Sequence, residues 1–578
     1  MNESFLKRCN RIYEALVEHI VNLKKKEDAE TVLTWIQMVA DFCWRNHTGR
    51  YADGRIENIA FEIGEDLEKT LTQTPLEFSN LKLSKPDKDN RRRILHIATT
   101  VYKIGGHTRL ISAWIKNDPG TCHSLLLTNQ GNGQIPEWLS HTVNKNGGEL
   151  TVLPSDASLL LKARWLREFV QANVDMIILH HHPNDVLPVV AFATKQCPPI
   201  AILNHADHAF WMGSSIADTV INIRMSGKTL SEERRFTKPN LLLPIPLNPR
   251  LPDVTREEAR RQLNIPDQQV VLLSIGKAYK YIPTETHNFY RAVVKVLNAY
   301  PEAHLYLVGV EWCESTDYLR ETKHHRLHLL GEIEHPYLYR VAADLYLEGF
   351  PIGSLTALLE VALSGVYPVL SFAPMSSTLV SNDLALVGLT NLAMSEDEYV
   401  EGVKFLIQNQ EYREKIGNQI KERVTEYHVG RKWNEYLQAV YQYLEDKSHE
   451  PSRIPNSAYS ESSDDLSLSR VGMLLHSDPK RDPCLYDNPP LLGFGRQYFA
   501  RARVKDLTRL FFLSLKTQDT KLCQRHIQYW VNVFSEYQDQ SDADNFLNRH
   551  PQLKARLRIF VSLGWKGYKK LRALMNQN

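Results

Sequence analysis

The sequence is poor in the features that mark secreted and membrane-spanning proteins. It has seven cysteines in 578 residues, none of them in a C-x-x-C pair, a usage typical of reduced thiols in a reducing compartment. No run approaches the roughly eighteen apolar residues that a membrane helix needs. The first twenty residues contain acidic side chains and lack the apolar core of a signal peptide. These absences predict a soluble, cytoplasmic protein.

Several kinds of chemistry also lack their signals. The formal net charge is only +2, from 69 basic and 67 acidic residues, and a nucleic-acid partner would need a distinct basic patch. The sequence contains neither the G-x-S-x-G elbow of hydrolases nor a P-loop. The triplet His180-His181-His182 does not indicate zinc, because consecutive strand residues point to opposite faces. We therefore expect no metal, no cofactor and no nucleic acid.

The sequence does contain a regular alternation of apolar strands and amphipathic helices. Strands of a first unit are predicted at 93–99, 122–128, 149–153, 174–180, 200–205 and 220–223. Strands of a second unit are predicted at 270–275, 305–308, 327–330, 345–347 and 368–371. Intervening helices are predicted at 158–172, 186–195, 284–300 and 396–409. This alternation predicts an α/β fold with two doubly wound, Rossmann-like sheets.

The two units occupy the middle of the chain. We predict a helical N-terminal region at 1–85, a first Rossmann-like domain at 93–245, and a second at 246–446 that ends in a long helix at 430–444. The stretch 447–470 is rich in serine, proline and acidic residues. Because such a composition buries little apolar area, it predicts a flexible linker.

A helical C-terminal region is predicted at 471–578. Its last part, 554–572, has seven basic and no acidic residues, interleaved with large apolar ones. Such a stretch suits a solvated helix packed on its own domain, which is the favoured interpretation. The alternative is peripheral contact with an anionic membrane, at its inner face for a cytoplasmic protein.

The stretch 344–371 carries the clearest chemical signal. A short apolar strand leads into a loop that contains Gly353, and Ser354 then opens a helix. The loop follows the carboxyl end of a parallel strand, where such sheets bind ligands, and amides at a helix N-terminus favour an anion. Gly353 would let a diphosphate approach, Thr356 would add a hydroxyl donor, and Glu360 would reach a sugar or ribose hydroxyl. On spacing alone, an ordinary βαβ unit with a glycine turn is the alternative.

The same stretch resembles the donor-site motif of GT-B glycosyltransferases. Glu348-Gly349-Phe350 is similar to the start of the motif in glycosyltransferase family 4. The stretch also resembles the O-GlcNAc transferase family, at Gly353, Thr356, Glu360, Gly365 and Pro368-Val369. Family 4 separates its two glutamates by seven residues, whereas eleven separate Glu348 from Glu360. The resemblance covers 93–445 and implies a nucleotide-sugar donor site in the second unit.

A second resemblance concerns the end of the first strand of the second unit. Residues 274–309 are similar to a segment of the O-GlcNAc transferase family in which Tyr-Lys precedes a proline and a long helix. The resemblance implies that Lys280 contacts the diphosphate, while Lys277 stands closer to the position of a cation in family 4. A plain surface charge is the alternative for each lysine. With the helix start at Ser354, these cations imply a site that works without Mg²⁺.

Polar groups of the first unit are candidates for the acceptor side. His107 would lie at the mouth of the cleft in a GT-B fold, and His205 and Asp207 follow a strand end that faces the same cleft. Histidine ionises near neutral pH and can act as a base. A structural role is the alternative for each. Asp185 and Arg224 are further candidates for substrate contacts.

These patterns together predict a glycosyltransferase that moves a sugar from a nucleotide-sugar, in the first instance a UDP-sugar, to an acceptor that the sequence does not identify. His107, or His205 with Asp207, would meet the acceptor. The donor would be held by Lys277, Lys280, Glu348, Gly353, Ser354, Thr356 and Glu360. Two alternatives stay open: a nucleotide-sugar 2-epimerase of the same fold, and a non-catalytic scaffold with a decayed transferase fold.

Overall fold

A computed structural model provides the fold. It describes residues 4–67, 91–103, 106–131, 133–237, 239–248, 254–284, 287–312, 323–333, 336–371, 379 and 381–475. The prediction for the stretch 554–572, and most of the predicted C-terminal helical region, lie outside the described residues. No helix within the described ranges combines the length and apolar character that crossing a bilayer requires.

Seven parallel strands form the first sheet, in the order β3-β2-β1-β4-β5-β6-β7. They are β1 (Arg93–Ala98), β2 (Cys122–Leu127), β3 (Leu150–Val152), β4 (Met176–His180), β5 (Ile200–Asn204), β6 (Thr219–Asn222) and β7 (Asn240–Leu242). The helices of this half are α4 (Gly106–Asn117), α5 (Glu137–Asn146), α6 (Leu159–Asn173), α7 (Leu187–Phe192) and α8 (Met225–Arg234). The central strands are buried along almost their whole length, as parallel strands covered on both faces are.

Five parallel strands form the second sheet, in the order β10-β9-β8-β11-β12. They are β8 (Val270–Ile275), β9 (Ala303–Val308), β10 (Leu327–Leu329), β11 (Leu345–Leu347) and β12 (Tyr367–Val369). Its helices are α9 (Arg256–Gln262), α10 (Phe289–Ala299), α11 (Tyr337–Ala342), α12 (Leu355–Ala362), α13 (Glu396–Gln408), α14 (Gln410–His428) and α15 (Arg431–Glu445). The prediction of two Rossmann-like sheets is confirmed.

The last of these helices, α15, returns from the second half to the first. Its Tyr441 hydroxyl accepts a hydrogen bond from Trp114 Nε1 at 3.0 Å and donates to Asp118 Oδ2 at 2.7 Å. Further along, Trp433 Nε1 donates to the carbonyl of Pro244 at 3.0 Å. The two halves also share one hydrophobic cluster, to which Ile94 and Val271 both belong. The helix therefore fastens the two sheets into one unit with a cleft between them.

Within the described residues, three helices precede the first sheet and one follows α15. They are α1 (Phe5–Leu23), α2 (Ala29–Arg45), α3 (Gly54–Glu65) and α16 (Ser463–Leu475). The N-terminal helices contribute buried residues such as Ile12 and Trp35 to the hydrophobic cluster that contains Ile97 of β1. They are thus packed onto the first half through apolar contacts.

The segment 447–462 differs from the flexible linker that its composition predicts. It lies against the first half and the N-terminal helices without regular secondary structure. The amide of Ser452 donates to the carbonyl of Ser215 at 2.8 Å. The side chain of His449, buried to 1% exposure, pairs with Asp218 Oδ2 at 2.8 Å. Polar and backbone hydrogen bonds, which composition does not reveal, hold this segment in place.

Candidate functional site

The glycine loop between β11 and α12 lies beside the end of β8. The two strands are neighbours in a parallel sheet, so their carboxyl ends meet at the same edge. A short 3₁₀ turn, Ala278–Tyr281, follows β8 and places Lys280 against the loop. The Lys280 ammonium donates to the carbonyl of Gly353 at 2.9 Å and to Ser354 Oγ at 3.0 Å. The structure thus brings together three of the residues predicted to hold the diphosphate.

The electrostatic setting of Lys280 is unusual for a lysine. Burial lowers the pKa of its ammonium to about 8; Glu348 opposes this effect and Arg224 of the first half adds to it. The helix start it touches has amides that are not capped by Ser354, since the side chain of that residue makes no capping hydrogen bond. A lysine and uncapped amides together form a setting that suits an anion.

Glu348 is part of the internal structure of the loop. It is fully buried, and its Oε2 accepts hydrogen bonds from the amide and hydroxyl of Ser371 at 2.8 and 2.9 Å. Its Oε1 accepts from the amide of Ser381 at 3.2 Å. Burial raises the pKa of Glu348 in spite of these hydrogen bonds. A Cβ at Gly353 would lie 2.2 Å from Glu348 Oε1, so close packing explains that glycine as well.

Lys277 lies in a different environment from Lys280, three residues away. Its Nζ is 3.6 Å from Glu332 Oε1, and the side chains of both partners remain more than half exposed, at 57% and 55%. Exposed pairs of this kind contribute little to stability. The structure does not bring Lys277 to the loop contacts that Lys280 makes.

A pocket of about 400 Å³ opens between the two halves. Thr356 and Glu360, both on α12, line it from the second half, and α4 lines it from the first. The halves approach closely here, because a Cβ at Gly106 would lie 3.3 Å from Thr356 Oγ1. Basic side chains dominate the charged part of the lining: Lys103, Arg109, Lys116 and Arg340. The positive charge of this lining favours an anionic ligand.

Glu360 is the acidic member of the lining residues that the structure describes, and it pairs with arginines from both halves. It accepts a short hydrogen bond from Arg340 of α11. Arg109 of α4 contributes an Nη1 atom 3.9 Å from Glu360 Oε2. Arg340 Nε is buried and has no hydrogen-bond partner within the described residues. An unsatisfied buried donor in a pocket wall is a contact that a ligand would complete.

His107 and His205 come together in the first half. Their ring centroids are 4.5 Å apart, and His107 Nε2 is buried without a hydrogen-bond partner in the described part of the chain. Burial lowers the pKa of His107 to about 4 and that of His205 well below its usual range. Both rings are therefore neutral at pH 7, the state in which imidazole can accept a proton.

Asp207 lies close by in sequence but serves an ion pair. Its carboxylate accepts hydrogen bonds from Arg224 Nε at 2.6 Å and Arg224 Nη2 at 2.9 Å. Although burial favours the neutral acid, the Arg224 charge holds the pKa of Asp207 well below its usual range. A carboxylate engaged in this way is a weak base. The structure thus brings His205 to His107 but gives Asp207 a partner of its own.

The sequence did not identify two arginines of the site, Arg109 and Arg340. Arg109 and Arg340 lie 231 positions apart and meet at Glu360 only in the folded chain. One feature of the sequence could have identified Arg109: it follows Gly106 by three residues and so shares its face of the helix.

Asp185, predicted as a further candidate for substrate contacts, instead accepts hydrogen bonds from Thr99 at 2.7 Å and Thr128 at 2.6 Å.

Metal ligands do not converge in the part of the chain that the structure describes. No group of three histidine, cysteine, aspartate or glutamate side chains there is arranged to hold an ion. Within the histidine triplet, His181 Nε2 contacts the carbonyl of Met212 at 2.7 Å, whereas His180 faces other histidines. The described site therefore offers basic side chains, and no carboxylate cluster, to a phosphate group.

The strand orders, the returning helix and the cleft between the sheets define a two-domain protein of GT-B architecture. Solved structures that resemble it do so at low identity. A mutant O-GlcNAc transferase of Thermobaculum terrenum is similar over 77% of this chain and 98% of that chain, with 13% identity and a TM-score of 0.44. HepE of Anabaena, solved with UDP and glucose, is similar over 62% of this chain and 100% of that chain, with 12% identity and a TM-score of 0.47.

A third similar structure is the sucrose-phosphate synthase from Thermosynechococcus elongatus. It covers 61% of this chain and 99% of that chain, with 12% identity and a TM-score of 0.46. No family model matches the chain, and no curated protein sequence matches it. The architecture is therefore assigned from the strand order and from the contacts of α15 with the first half.

Proposed function

We propose that this protein is a glycosyltransferase that transfers a sugar from a nucleotide-sugar to an acceptor without a metal ion. One observation carries the proposal. A basic pocket between the two halves is lined by Thr356, in the first turn of the helix that follows the glycine loop, and the start of that helix contacts a buried lysine, Lys280. UDP is the first nucleotide to test, because the stretch 344–371 resembles the O-GlcNAc transferase family.

The second half would hold the donor. Lys280 and the uncapped amides at the start of α12 lie where the diphosphate would gain negative charge as the sugar leaves. Thr356 would donate its hydroxyl to a phosphate oxygen. Glu360, oriented by Arg340, would accept a hydrogen bond from ribose. Fixed cations in a partly closed cleft would supply the stabilisation that a bound Mg²⁺ gives elsewhere.

The first half would handle the acceptor. His107 and His205 are neutral and adjacent, so each ring has a lone pair that would accept a hydrogen bond from the acceptor hydroxyl and orient it for attack. Burial makes both rings weaker bases than a free imidazole, so they would take the proton only as the hydroxyl attacks. Gly106 lies close to Thr356, which supports a narrow cleft where donor and acceptor would meet. A narrow cleft holds the two substrates in line and keeps water from the donor.

The alternative functions lack such support. An epimerase of the same fold needs carboxylates that face the sugar from the first half. Asp185 and Asp207, the two first-half candidates, use their carboxylates for Thr99, Thr128 and Arg224. A scaffold has no need of a buried lysine against a helix start, since such a group is costly to keep charged.

The experiment is a panel of nucleotide-sugars, with and without added acceptors, followed by mass analysis of the products. We expect release of nucleotide and a product heavier than the acceptor by one sugar. Lys280→Met keeps the length of the side chain but removes its charge, and should lower turnover about 100-fold or more. A wild-type protein that neither binds nor cleaves any donor would contradict the proposal and favour the scaffold.

We propose a cytoplasmic location as well. Cys43 and Cys197 keep their thiols in the described part of the chain and form no disulfide there. Thiols of this kind persist in a reducing compartment. Cell fractionation tests the location, and recovery in a secreted or periplasmic fraction would contradict it.

A further inference from the structure

Three histidines form a hydrogen-bonded row through the interior of the first sheet. His123, His96 and His180 belong to the neighbouring strands β2, β1 and β4, and each has 0% exposure. His96 Nε2 is 2.9 Å from His123 Nδ1, and His96 Nδ1 is 2.8 Å from His180 Nε2. We call these three residues the histidine row.

The strand register explains the geometry. His123 pairs in register with Ile94, two residues before His96, and His180 pairs with Ala98, two residues after it. Residues two apart on a strand share a face. The row therefore runs diagonally on one face of the sheet, and climbs toward the carboxyl ends of the strands, where the candidate site lies.

The lower end of the row reaches a carboxylate. His123 Nε2 is 3.1 Å from Asp118 Oδ2, which also accepts from the Tyr441 hydroxyl of α15 at 2.7 Å. Burial works against ionisation of Asp118, but the hydrogen bonds from His123 and Tyr441 hold its pKa below the usual range. Asp118 is 7% exposed, whereas the three histidines of the row are fully buried, so Asp118 lies nearer to solvent than the row does.

The upper end of the row reaches His107 and His205, which do not belong to the lining of the pocket between the halves. His180 Nδ1 is buried and has no hydrogen-bond partner among the residues that the structure describes. The His107 ring centroid is 6.0 Å from that of His180, and His107 also forms a hydrogen bond with the backbone of His180. His107 in turn packs against His205. The rings of His107 and His180 are therefore neighbours that each have one unsatisfied nitrogen within the described chain, His107 Nε2 and His180 Nδ1, and the rings must shift to bring these two atoms into hydrogen-bond contact.

When all three rings are neutral, the contacts fix the direction of the row. An ionised Asp118 only accepts hydrogen bonds, so a neutral His123 donates from Nε2 and keeps a lone pair on Nδ1. His96 then donates from Nε2 to His123, and His180 donates from Nε2 to His96. Every donor points toward Asp118, and the lone pair left over is at His180 Nδ1. A neutral row therefore has its proton-accepting end beside His107.

We propose that the histidine row is a proton relay, which carries the proton released by the acceptor from the His107–His205 pair to Asp118. This inference rests on the proposed function. During transfer the acceptor oxygen bonds to the anomeric carbon, the bond from that carbon to the phosphate oxygen breaks, and the hydroxyl proton passes to the pair. The nucleotide leaves with the bonding electrons.

The proton movements balance along the row. His180 gains a proton at Nδ1 and gives its Nε2 proton to His96. His96 and His123 repeat the exchange, and the Nε2 proton of His123 ends on Asp118 Oδ2. Each ring ends neutral with its proton on the other nitrogen. The base therefore returns to its neutral form without opening the cleft. The row resets when the proton returns from Asp118 by the same exchanges in reverse order, which restores the Nε2–H tautomers, and the pair then releases it with the products.

A packing role alone does not account for this arrangement. Apolar side chains fill parallel strands at no desolvation cost, whereas buried polar groups need complete hydrogen bonding. The second sheet provides a comparison: His304 and His328 of β9 and β10 also pair, at 3.0 Å, but both are partly exposed. That pair is not among the residues that line the pocket, so it serves as a matched control.

The test uses the full chain and the donor and acceptor found by the panel. His96→Gln retains one acceptor and one donor for its two neighbours, but an amide does not relay protons. We expect kcat to fall about tenfold or more, with the affinity for UDP unchanged within about twofold. The solvent deuterium effect should show several moving protons in the wild type and fewer in the variant. His304→Gln should match the wild type in every measurement.

Two results would overturn the relay alone: an unchanged kcat and deuterium effect in His96→Gln, or equal losses in both variants. If His96→Gln does not fold, nitrogen NMR of the wild type with labelled histidine decides the question. Three buried Nε2–H tautomers are expected, and an Nδ1–H tautomer in the row would overturn the proposal. Absence of both UDP binding and transfer in the wild type would instead overturn the proposed function, and the relay with it.

Discussion

The two halves of the molecule share one winding but present different chemistry at the same edge. Counted in chain order within each half, the first five strands of both sheets lie as 3-2-1-4-5. In the second half, the carboxyl edge carries Lys280 and the glycine loop, a setting for phosphate. In the first half, that edge carries the neutral rings of His107 and His205, a setting for protons. The fold supplies an edge, and the side chains on it decide the chemistry.

The charges of the two halves are also balanced differently. In the first half, Arg224 and Asp207 form a buried two-point ion pair. In the second half, Glu360 is partly exposed and takes part in the pocket lining together with Arg340. We infer that the first pair maintains structure, while the second is available to a ligand. The variants below test that difference, beginning with the one that should destabilise the fold most.

Asp207→Ala should produce the largest loss of stability. It removes the carboxylate that binds the buried Arg224 guanidinium at two points, and breaking a buried pair in this way costs about 3–5 kcal/mol. The matched control is Glu435→Ala, which removes an exposed pair with Arg431 at 3.0 Å and should cost about 0.5 kcal/mol or less. Urea unfolding measures both. Similar losses in the two variants would contradict the structural role of the Arg224–Asp207 pair.

Two glutamates of the second half should separate stability from binding. Glu348→Gln places an amide donor against the amide of Ser381 or Ser371, so we expect a loss of about 1–3 kcal/mol in the free energy of unfolding. Glu360→Gln keeps an acceptor for Arg340 and should change stability little. It should nevertheless raise the Kd for UDP about tenfold, because ribose loses a charged acceptor. Urea unfolding measures the stability of both variants, and titration with UDP measures their Kd.

If the effects are reversed, with Glu360→Gln destabilising the fold and Glu348→Gln weakening only UDP, the assignment of the two glutamates is wrong. In that case Glu348, and not Glu360, would be the glutamate that contacts the donor.

The pH dependence of binding should reveal the buried lysine. Burial lowers the pKa of Lys280 to about 8 in the free protein. The side chain is therefore protonated and charged below that pH and progressively loses its charge above it. Since the charged form binds a diphosphate, the Kd for UDP should rise above about pH 8, by up to about tenfold per pH unit. Lys280→Arg should show no such rise, because guanidinium stays protonated. A flat profile in the wild type would contradict the assignment.

The sequence predicted the sheets well because apolar runs separated by helices leave few other folds. It also pointed to the glycine loop, which immediately follows a strand, and to Lys280, which was predicted from the resemblance of 274–309 to the O-GlcNAc transferase family. It did not distinguish the environment of Lys280 from that of Lys277, because no sequence pattern marks the turn Ala278–Tyr281, which directs Lys280 toward the glycine loop. The histidine row was beyond reach for another reason: it depends on the register of three strands, which no local pattern encodes.

The N- and C-terminal parts show the same limit. Periodic apolar residues predicted the N-terminal helices, which pack by hydrophobic contact. The segment 447–462 is held by hydrogen bonds such as that from Ser452 to Ser215, and these come from backbone groups that every residue possesses. Composition therefore suggested a linker where tertiary contacts give a fixed path.

The most direct test of the account is a calorimetric titration of UDP into three proteins: the wild type, Lys280→Met and Lys277→Met. If the cleft is a diphosphate site held by the buried lysine, Lys280→Met should weaken binding about 10- to 100-fold, and Lys277→Met should match the wild type within about twofold. Equal affinity in all three proteins, or no binding to the wild type, would contradict the claim that the two halves close over a nucleotide diphosphate.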